Sequence, residues 1–102
     1  MNHVFHPDAA LEFEEAVRFY RARGPTLGDR FAHDVRAAIR KILELPARCR
    51  VLEGDVRLCH VRVFPYSVLY TMEQHYILII AIRHAKREPG YWRRRLKSKP
   101  TA

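Results

Sequence analysis

The first third of the chain carries apolar residues at helical spacing. Pro7 suits the first position of a helix, because the N–H that proline lacks would be unpaired there anyway. From that point apolar side chains recur every three or four residues and therefore share one helical face: Ala9, Phe13, Val17 and Tyr20. Acidic residues lie mostly in the first half of this segment and arginines in the second, an order that complements the helix dipole. Gly24 and Pro25 end the predicted helix.

A longer apolar stripe predicts a second helix, which stops at Pro46. Thr26 and Asp29 resemble a capping box at its start. The stripe then follows spacings of three and four: Leu27, Phe31, Val35, Ala38, Ile42 and Leu45. Only two or three residues separate the two predicted helices. We therefore expect an antiparallel helical hairpin whose apolar stripes need a third surface to cover them.

The second half of the chain has the composition and alternation of β-strands. The last of these runs is apolar at both odd and even positions, which is typical of a central strand covered on both faces. The predicted strands are residues 4–5, 56–64, 66–72 and 76–82.

These elements predict an α+β fold with the order β-α-α-β-β-β. In this fold the helical hairpin packs on one face of a mostly antiparallel four-stranded sheet. At 102 residues the chain is expected to hold one domain, over residues 1–92. Residues 93–102 are expected to form a basic, flexible C-terminal tail.

Positive charge is concentrated at the C-terminal end. From Arg83 onward there are eight lysines and arginines against one acid, Glu88, in a chain whose formal net charge is +8. This arrangement directly after a buried strand indicates an anionic partner, such as nucleic acid or an acidic protein.

Several classes of function and location are disfavoured by the same sequence. The two cysteines make no disulfide framework, and no signal peptide or membrane-spanning run is recognisable, so a soluble cytoplasmic protein is expected. The six histidines lack zinc-ligand spacing, and no glycine-rich phosphate loop is present. We therefore predict neither a metal nor an organic cofactor.

The candidate chemistry lies at the end of the last strand. Arginines there could bind a phosphate, and His84 or Tyr91 could deprotonate a 2′-hydroxyl if the substrate were RNA. A solvated or partner-binding surface is the commoner role for such residues, and Tyr91 and Trp92 are expected to pack back onto the sheet. The catalytic candidates, only if the protein is a nuclease, are Arg62, Arg83, His84, Arg87 and Tyr91.

Four motifs stand out along residues 4–92: Glu14-Glu15-Ala16-Val17 with Tyr20, Leu27-Gly28-Asp29-Arg30-Phe31, Phe64-Pro65-Tyr66-Ser67-Val68-Leu69-Tyr70, and His84-x-x-Arg87-x-Pro89-x-x-Trp92. Together they resemble the RelE/ParE superfamily of toxins from type II toxin–antitoxin systems, and the ParE-like plasmid stabilisation branch in particular. The resemblance implies the fold described above and a toxin that is neutralised by an antitoxin encoded beside it.

The target of such a toxin differs between the two branches. RelE-like members cleave mRNA on the ribosome, whereas ParE-like members inhibit DNA gyrase. The RelE-like pattern has lysines before the Phe-Pro-Tyr junction, but this chain has no lysine between Pro46 and Tyr66. The ParE-like interpretation is therefore favoured. A ribosome-dependent endoribonuclease and a non-toxic basic nucleic-acid-binding module remain as alternatives.

The toxin interpretations require a protein partner. We expect an acidic or amphipathic antitoxin, bound in a hetero-oligomer, that lays a helix against the helical hairpin and adds a strand to a sheet edge. Its candidate contacts are Leu11, Phe13 and Tyr20.

Overall fold

The computed structural model of the protein describes residues 1–100, in which two helices pack on a five-stranded sheet. The strands lie in the order β1-β5-β4-β3-β2, and only the β1–β5 pair is parallel. The elements are β1 (Asn2–Phe5), α1 (Pro7–Arg23), α2 (Pro25–Glu44), β2 (Val51–Glu53), β3 (Val56–His60), β4 (Tyr66–Met72), β5 (Tyr76–His84) and a C-terminal 3-10 helix (Arg93–Lys97). The predicted α+β class and helical hairpin are confirmed. None of the helices in this part of the chain is long and apolar enough to cross a bilayer.

The sheet has one strand more than the four predicted from the sequence. Strand β2 lies between the end of the second helix and the strand predicted over residues 56–64, where no element was predicted, and it pairs with β3 through Val51 and Arg57. With three residues it is too short to show alternation, so the sequence pattern did not reveal it.

The helical hairpin is tighter than the sequence indicated. Gly24 alone separates the helices, and Pro25 begins α2, so Thr26 lies inside the helix and the predicted capping box is absent. Close approach of the helices depends on Gly28. A Cβ atom there would lie 2.8 Å from Cβ of Arg21 and 2.9 Å from its Cα.

The hairpin covers one face of the sheet with an aromatic core. The ring of Phe31 lies 5.0 Å from that of Tyr20, 5.1 Å from Phe64 and 4.9 Å from Tyr66. Edge-to-face pairs dominate, which is a favourable arrangement of aromatic rings. The stripe predicted from Phe31 to Ile42 is buried in this core.

Strand β5 is buried on both faces, as its sequence predicted. Ile77, Ile79 and Ile82 pack in the cluster under the helices, while Leu78 and Ile80 belong to the cluster on the second face. It lies between β1 and β4 in the sheet.

The second face of the sheet is covered by the segment that follows β5, and here the structure differs from the expected flexible tail. Trp92 is 1% exposed and packs on this face, as predicted for its ring, with Leu96 packed beside it. Arg95, which was assigned to the tail, is 7% exposed within the 3-10 helix. The spacing of these three residues places them on one side of a helical turn, so that side packs on the domain while Arg93, Arg94 and Lys97 are exposed. Residues 101 and 102 of the expected tail lie outside the described residues.

Candidate functional site

The edge of β5 is only partly paired. Strand β1 runs beside it as far as Phe5 opposite Ile79, and α1 begins two residues later. Beyond that point Glu12 of α1 accepts a hydrogen bond from the backbone N–H of Ile82 at 3.0 Å. Arg95 donates to the carbonyl of Ile80 at 2.9 Å. These two side chains therefore satisfy backbone groups that a neighbouring strand would otherwise pair.

Glu12 is the centre of a cluster that joins α1 to the C-terminal segment. Its carboxylate accepts two hydrogen bonds from the Arg95 guanidinium, at 2.9 and 3.0 Å, and one from the Tyr91 hydroxyl at 2.7 Å. Arg87 Nη1 lies 4.0 Å from the same carboxylate, and its guanidinium carbon lies 3.8 Å from the centre of the Tyr91 ring. Asp8 contributes a further contact to Arg95 at 3.7 Å. The carboxylate and these cations form one interconnected network.

The Tyr91 hydroxyl is held in its protonated form by this network. Burial and the hydrogen bond to Glu12 raise its pKa well above the ordinary value for tyrosine. Nearby Arg95 and Arg87 act in the opposite direction but do not reverse the shift. A group that keeps its proton at neutral pH is poorly suited to act as a general base.

Arg83 lies apart from that cluster, in a row of polar residues that crosses three strands. His60 of β3 is opposite Ser67 of β4, which is opposite Arg83 of β5. His60 Nδ1 and Ser67 Oγ are 3.0 Å apart. The Nε of Arg83 is buried without a hydrogen-bond partner. These residues line a surface pocket of about 350 Å³ beside the turn that follows β3.

His84 points away from Arg83, because successive residues of a strand face opposite sides of a sheet. Its ring packs against Tyr66 at 5.0 Å, and its Nδ1 accepts the backbone N–H of Lys86 at 3.0 Å. It lines a second pocket of about 330 Å³ with Arg87, where two acids, Glu12 and Glu15, also lie.

Arg62 is exposed in the turn after β3 and not on a strand as the alternation suggested. Strand β3 ends at His60, and Val63 adopts a φ of 72°, which breaks the extended backbone.

The five predicted site residues therefore do not form one constellation. Arg87 and Tyr91 meet at Glu12, with His84 nearby, while Arg83 and Arg62 lie elsewhere. Sequence reasoning missed Glu12, Arg95 and Ser67. The pattern did contain a clue to Glu12, since its spacing from Ala9 and Ala16 places a carboxylate on the buried face of α1.

A separate groove runs along the outer side of the helical hairpin. Phe13, Val17 and Ala32 supply its apolar lining, and it encloses about 510 Å³. Its polar lining is mixed, with three arginines and two acids: Arg18, Arg21, Arg36, Glu14 and Asp29.

Phe13 and Arg36 also line an adjoining pocket of about 240 Å³ that reaches His3 and Phe5 of β1. Of the predicted antitoxin contacts, Phe13 lies in this continuous groove, Leu11 is exposed outside it, and Tyr20 packs in the aromatic core.

No group of three or more histidines, cysteines or acids within residues 1–100 is arranged to hold a metal ion. The pockets are instead lined by arginines, aromatic rings and isolated carboxylates.

The fold and these residues were compared with known proteins. The family described as "ParE toxin of type II toxin-antitoxin system, parDE" matches residues 4–89. A solved chain from the "Chromosomal ParDE TA system from P. aeruginosa" aligns with a TM-score of 0.74 at 16% identity, over 84% of this chain and 97% of that chain. A search of curated proteins found no match. The structural likeness supports the shared fold, and the family match spans most of the domain. The chain therefore belongs to the ParE toxin family of type II toxin–antitoxin systems.

Proposed function

We propose that the protein is a toxin that arrests growth by binding and inhibiting DNA gyrase, and that it does so without catalysing a reaction. Family membership implies an antitoxin partner. The choice of gyrase as the target goes beyond family membership and is our proposal. The observation that carries it is the engagement of Tyr91 and Arg87 by Glu12, because two of the five residues that a nuclease would use are part of an internal network.

The electrostatics at the end of β5 also favour a non-catalytic role. In the pocket beside His84 the one arginine, Arg87, faces Glu12 at 4.0 Å and Glu15 adds a second negative charge, so the pocket has no excess of positive charge to bind a phosphodiester. The Nδ1 of His84 already accepts a backbone hydrogen bond. Neither His84 nor Tyr91 is thus placed to accept a proton next to a phosphate held by several arginines.

One observation favours the endoribonuclease as a second candidate. The buried Nε of Arg83 has no partner, and the pocket beside it also contains His60, so this row could receive a phosphate oxygen next to an imidazole. Cleavage by this route would use Arg83 and His60, not Tyr91.

The two candidates are separated by expressing the chain alone. We expect growth arrest with intact messages, and loss of supercoiling by purified gyrase when the purified toxin is added. Primer extension on abundant mRNAs is the matched assay for the nuclease, and new cuts within translated codons would refute gyrase inhibition as the main activity. Normal growth, together with steeply salt-dependent binding to naked DNA or RNA, would instead indicate a plain nucleic-acid-binding module.

Arg83→Ala sharpens this comparison. If the protein is a nuclease, Arg83→Ala should abolish mRNA cleavage. If the protein inhibits gyrase without cutting RNA, neither the wild type nor Arg83→Ala should cleave mRNA. Arg94→Ala is the control, because it removes the same charge from an exposed residue of the C-terminal 3-10 helix.

The hairpin groove is the surface that we assign to the antitoxin. An amphipathic helix would place its apolar side on Phe13 and Val17 and its acidic residues near Arg18 and Arg36, and an extended segment could then pair with the outer edge of β1. This arrangement predicts a hetero-oligomer.

A charge reversal tests the groove. Arg36 is exposed and lines both parts of the groove, so Arg36→Glu should weaken binding of the protein encoded beside the toxin by about tenfold or more. Arg94→Glu makes the same charge change away from the groove and should leave the affinity within about twofold. Equal losses in the two variants, measured by calorimetry at fixed salt, would indicate only a general charge effect.

A further inference from the structure

The two cysteines of the chain lie on adjoining segments, Cys59 in β3 and Cys49 two residues before β2 begins. Val51 of β2 is opposite Arg57 of β3, and one residue further out the carbonyl of Arg50 accepts the N–H of Leu58 at 3.1 Å. Cys49 lies before the start of β2, and continuing the same antiparallel register by one more residue would place it opposite Cys59. Residues directly opposite each other in such a pair have Cβ atoms about 4.5–5.5 Å apart, close to the separation that a disulfide requires.

The segment that carries Cys49 is held in place by side chains from the sheet. The Tyr70 hydroxyl donates to the carbonyl of Pro46 at 2.5 Å, and Arg57 Nη1 donates to the carbonyls of Ala47 and Cys49 at 3.1 and 2.7 Å. On the other side, Cys59 is fixed by its pairing with Val68 of β4. Both cysteines therefore occupy positions that contacts with the neighbouring strands define.

The thiols share one environment at the margin of the core. Both are reduced and half-buried, and both pack against the cluster under the helices. Burial, with a smaller contribution from the neighbouring Cys49 thiol, raises the pKa of Cys59 to about 11. Cys49 lies in an irregular segment between exposed residues, whereas Cys59 lies in a strand with neighbours on both sides, so Cys49 is the thiol that an external oxidant meets first.

We propose that Cys49 and Cys59 form an oxidation site, at which a low-molecular-weight disulfide such as oxidised glutathione converts the two thiols into an intramolecular disulfide. The Cys49 thiolate attacks one sulfur of glutathione disulfide, forms a mixed disulfide and releases one glutathione thiolate. The Cys59 thiolate then displaces the second glutathione. Two protein thiols are oxidised, one glutathione disulfide is reduced to two glutathione molecules, and the thiol protons pass to the released thiolates.

The position of the disulfide predicts that oxidation stabilises the fold. The disulfide would close a loop of about 11 residues and fasten β2, a three-residue edge strand, to β3. The oxidised protein should therefore resist unfolding better than the reduced protein, with a melting temperature higher by roughly 5–15 °C.

The test uses the full-length protein in glutathione redox buffers, followed by acid quenching, alkylation and intact mass measurement without reductant. We expect a monomer that has lost two hydrogens, carries no glutathione and takes up no alkylating reagent. Cys49→Ser and Cys59→Ser, each with one thiol left, should instead accumulate a glutathione adduct or stay reduced, with no rise in melting temperature on oxidation. A wild-type protein that carries glutathione on either cysteine, forms disulfide-linked dimers or retains two alkylatable thiols would overturn the proposal. So would an intramolecular disulfide that leaves the melting temperature unchanged.

Discussion

The substitution Glu12→Gln tests whether the network at the edge of β5 holds the C-terminal segment in place. Glu12 accepts four hydrogen bonds, from Ile82, from Tyr91 and twice from Arg95. The side chains of Glu12 and Arg95 are 14% and 9% exposed, so solvent screens the pair only weakly. Removing one partner of a buried ion pair costs about 3–5 kcal/mol. Glutamine keeps one acceptor oxygen, and Asp8 still lies 3.7 Å from Arg95, so we expect a loss of about 2–3 kcal/mol for Glu12→Gln.

The assay is urea unfolding at pH 7, followed by two probes. Trp92 is the only tryptophan and is buried under the C-terminal segment, so its fluorescence reports release of that segment. Far-UV circular dichroism reports the helices. In the Glu12→Gln variant we expect both midpoints to fall, and a fluorescence change that precedes the dichroism change would indicate that the segment detaches first.

The matched control is Glu15→Gln, which removes the same charge from an exposed position on α1 and should change stability by no more than about 0.5 kcal/mol. A double-mutant cycle with Arg95→Met separates the pair from its surroundings, and we expect a coupling energy above about 1.5 kcal/mol. A Glu12→Gln variant as stable as the control, or effects that simply add with Arg95→Met, would refute the assigned role of the network.

Two further predictions concern the hairpin and the alkaline limit of stability. Gly28→Ala should destabilise the protein by about 1–3 kcal/mol in urea unfolding, because the new Cβ would collide with Arg21, whereas Gly24→Ala has room and should cost about 0.5 kcal/mol or less. Equal effects would contradict the close helix approach. The raised pKa of Tyr91 means that its contribution to stability is fully present below pH ~10 and is lost as the pH rises toward its folded-state pKa. Tyr91→Phe should therefore lose less stability than the wild type between pH ~9 and ~11, and parallel pH profiles for the two proteins would show that the phenol is not held by Glu12.

The fold was accessible from the sequence because its main elements are long and regularly patterned. The apolar stripe of α2 is buried when the helix packs on the sheet. Strand β5 is apolar at both odd and even positions, and these residues are all buried only when both faces of the strand are covered. Strand β2 was missed for the opposite reason, since its pairing with β3 depends on a partner strand and not on any pattern of its own.

The site was harder to predict because its contacts join distant parts of the chain. Glu12 meets Tyr91 and Arg95 only after β1 ends and leaves the edge of β5 unpaired, a feature of topology that no local motif records. The separation of Arg83 from His84, by contrast, follows from the sequence. Arg83 and His84 are adjacent in a strand, so they had to face opposite sides of the sheet and could not serve one pocket.

The same topology gives many of the basic residues after β5 a structural role. Its positive charge suggested an anion-binding site, but four of its cations form ion pairs with acids that are distant in sequence: Arg87 and Arg95 with Glu12, Arg93 with Glu53, and Lys99 with Glu73. Half of the eight basic residues thus help to attach the segment to the domain. Whether a run of like charges in a sequence forms a binding surface therefore depends on how many of its residues pair with acids in the folded protein. In the hairpin groove Arg21 pairs with Asp29 at 3.3 Å, which leaves Arg18 and Arg36 beside apolar side chains, and our assignment of the groove to the antitoxin rests on this combination of charge and apolar surface.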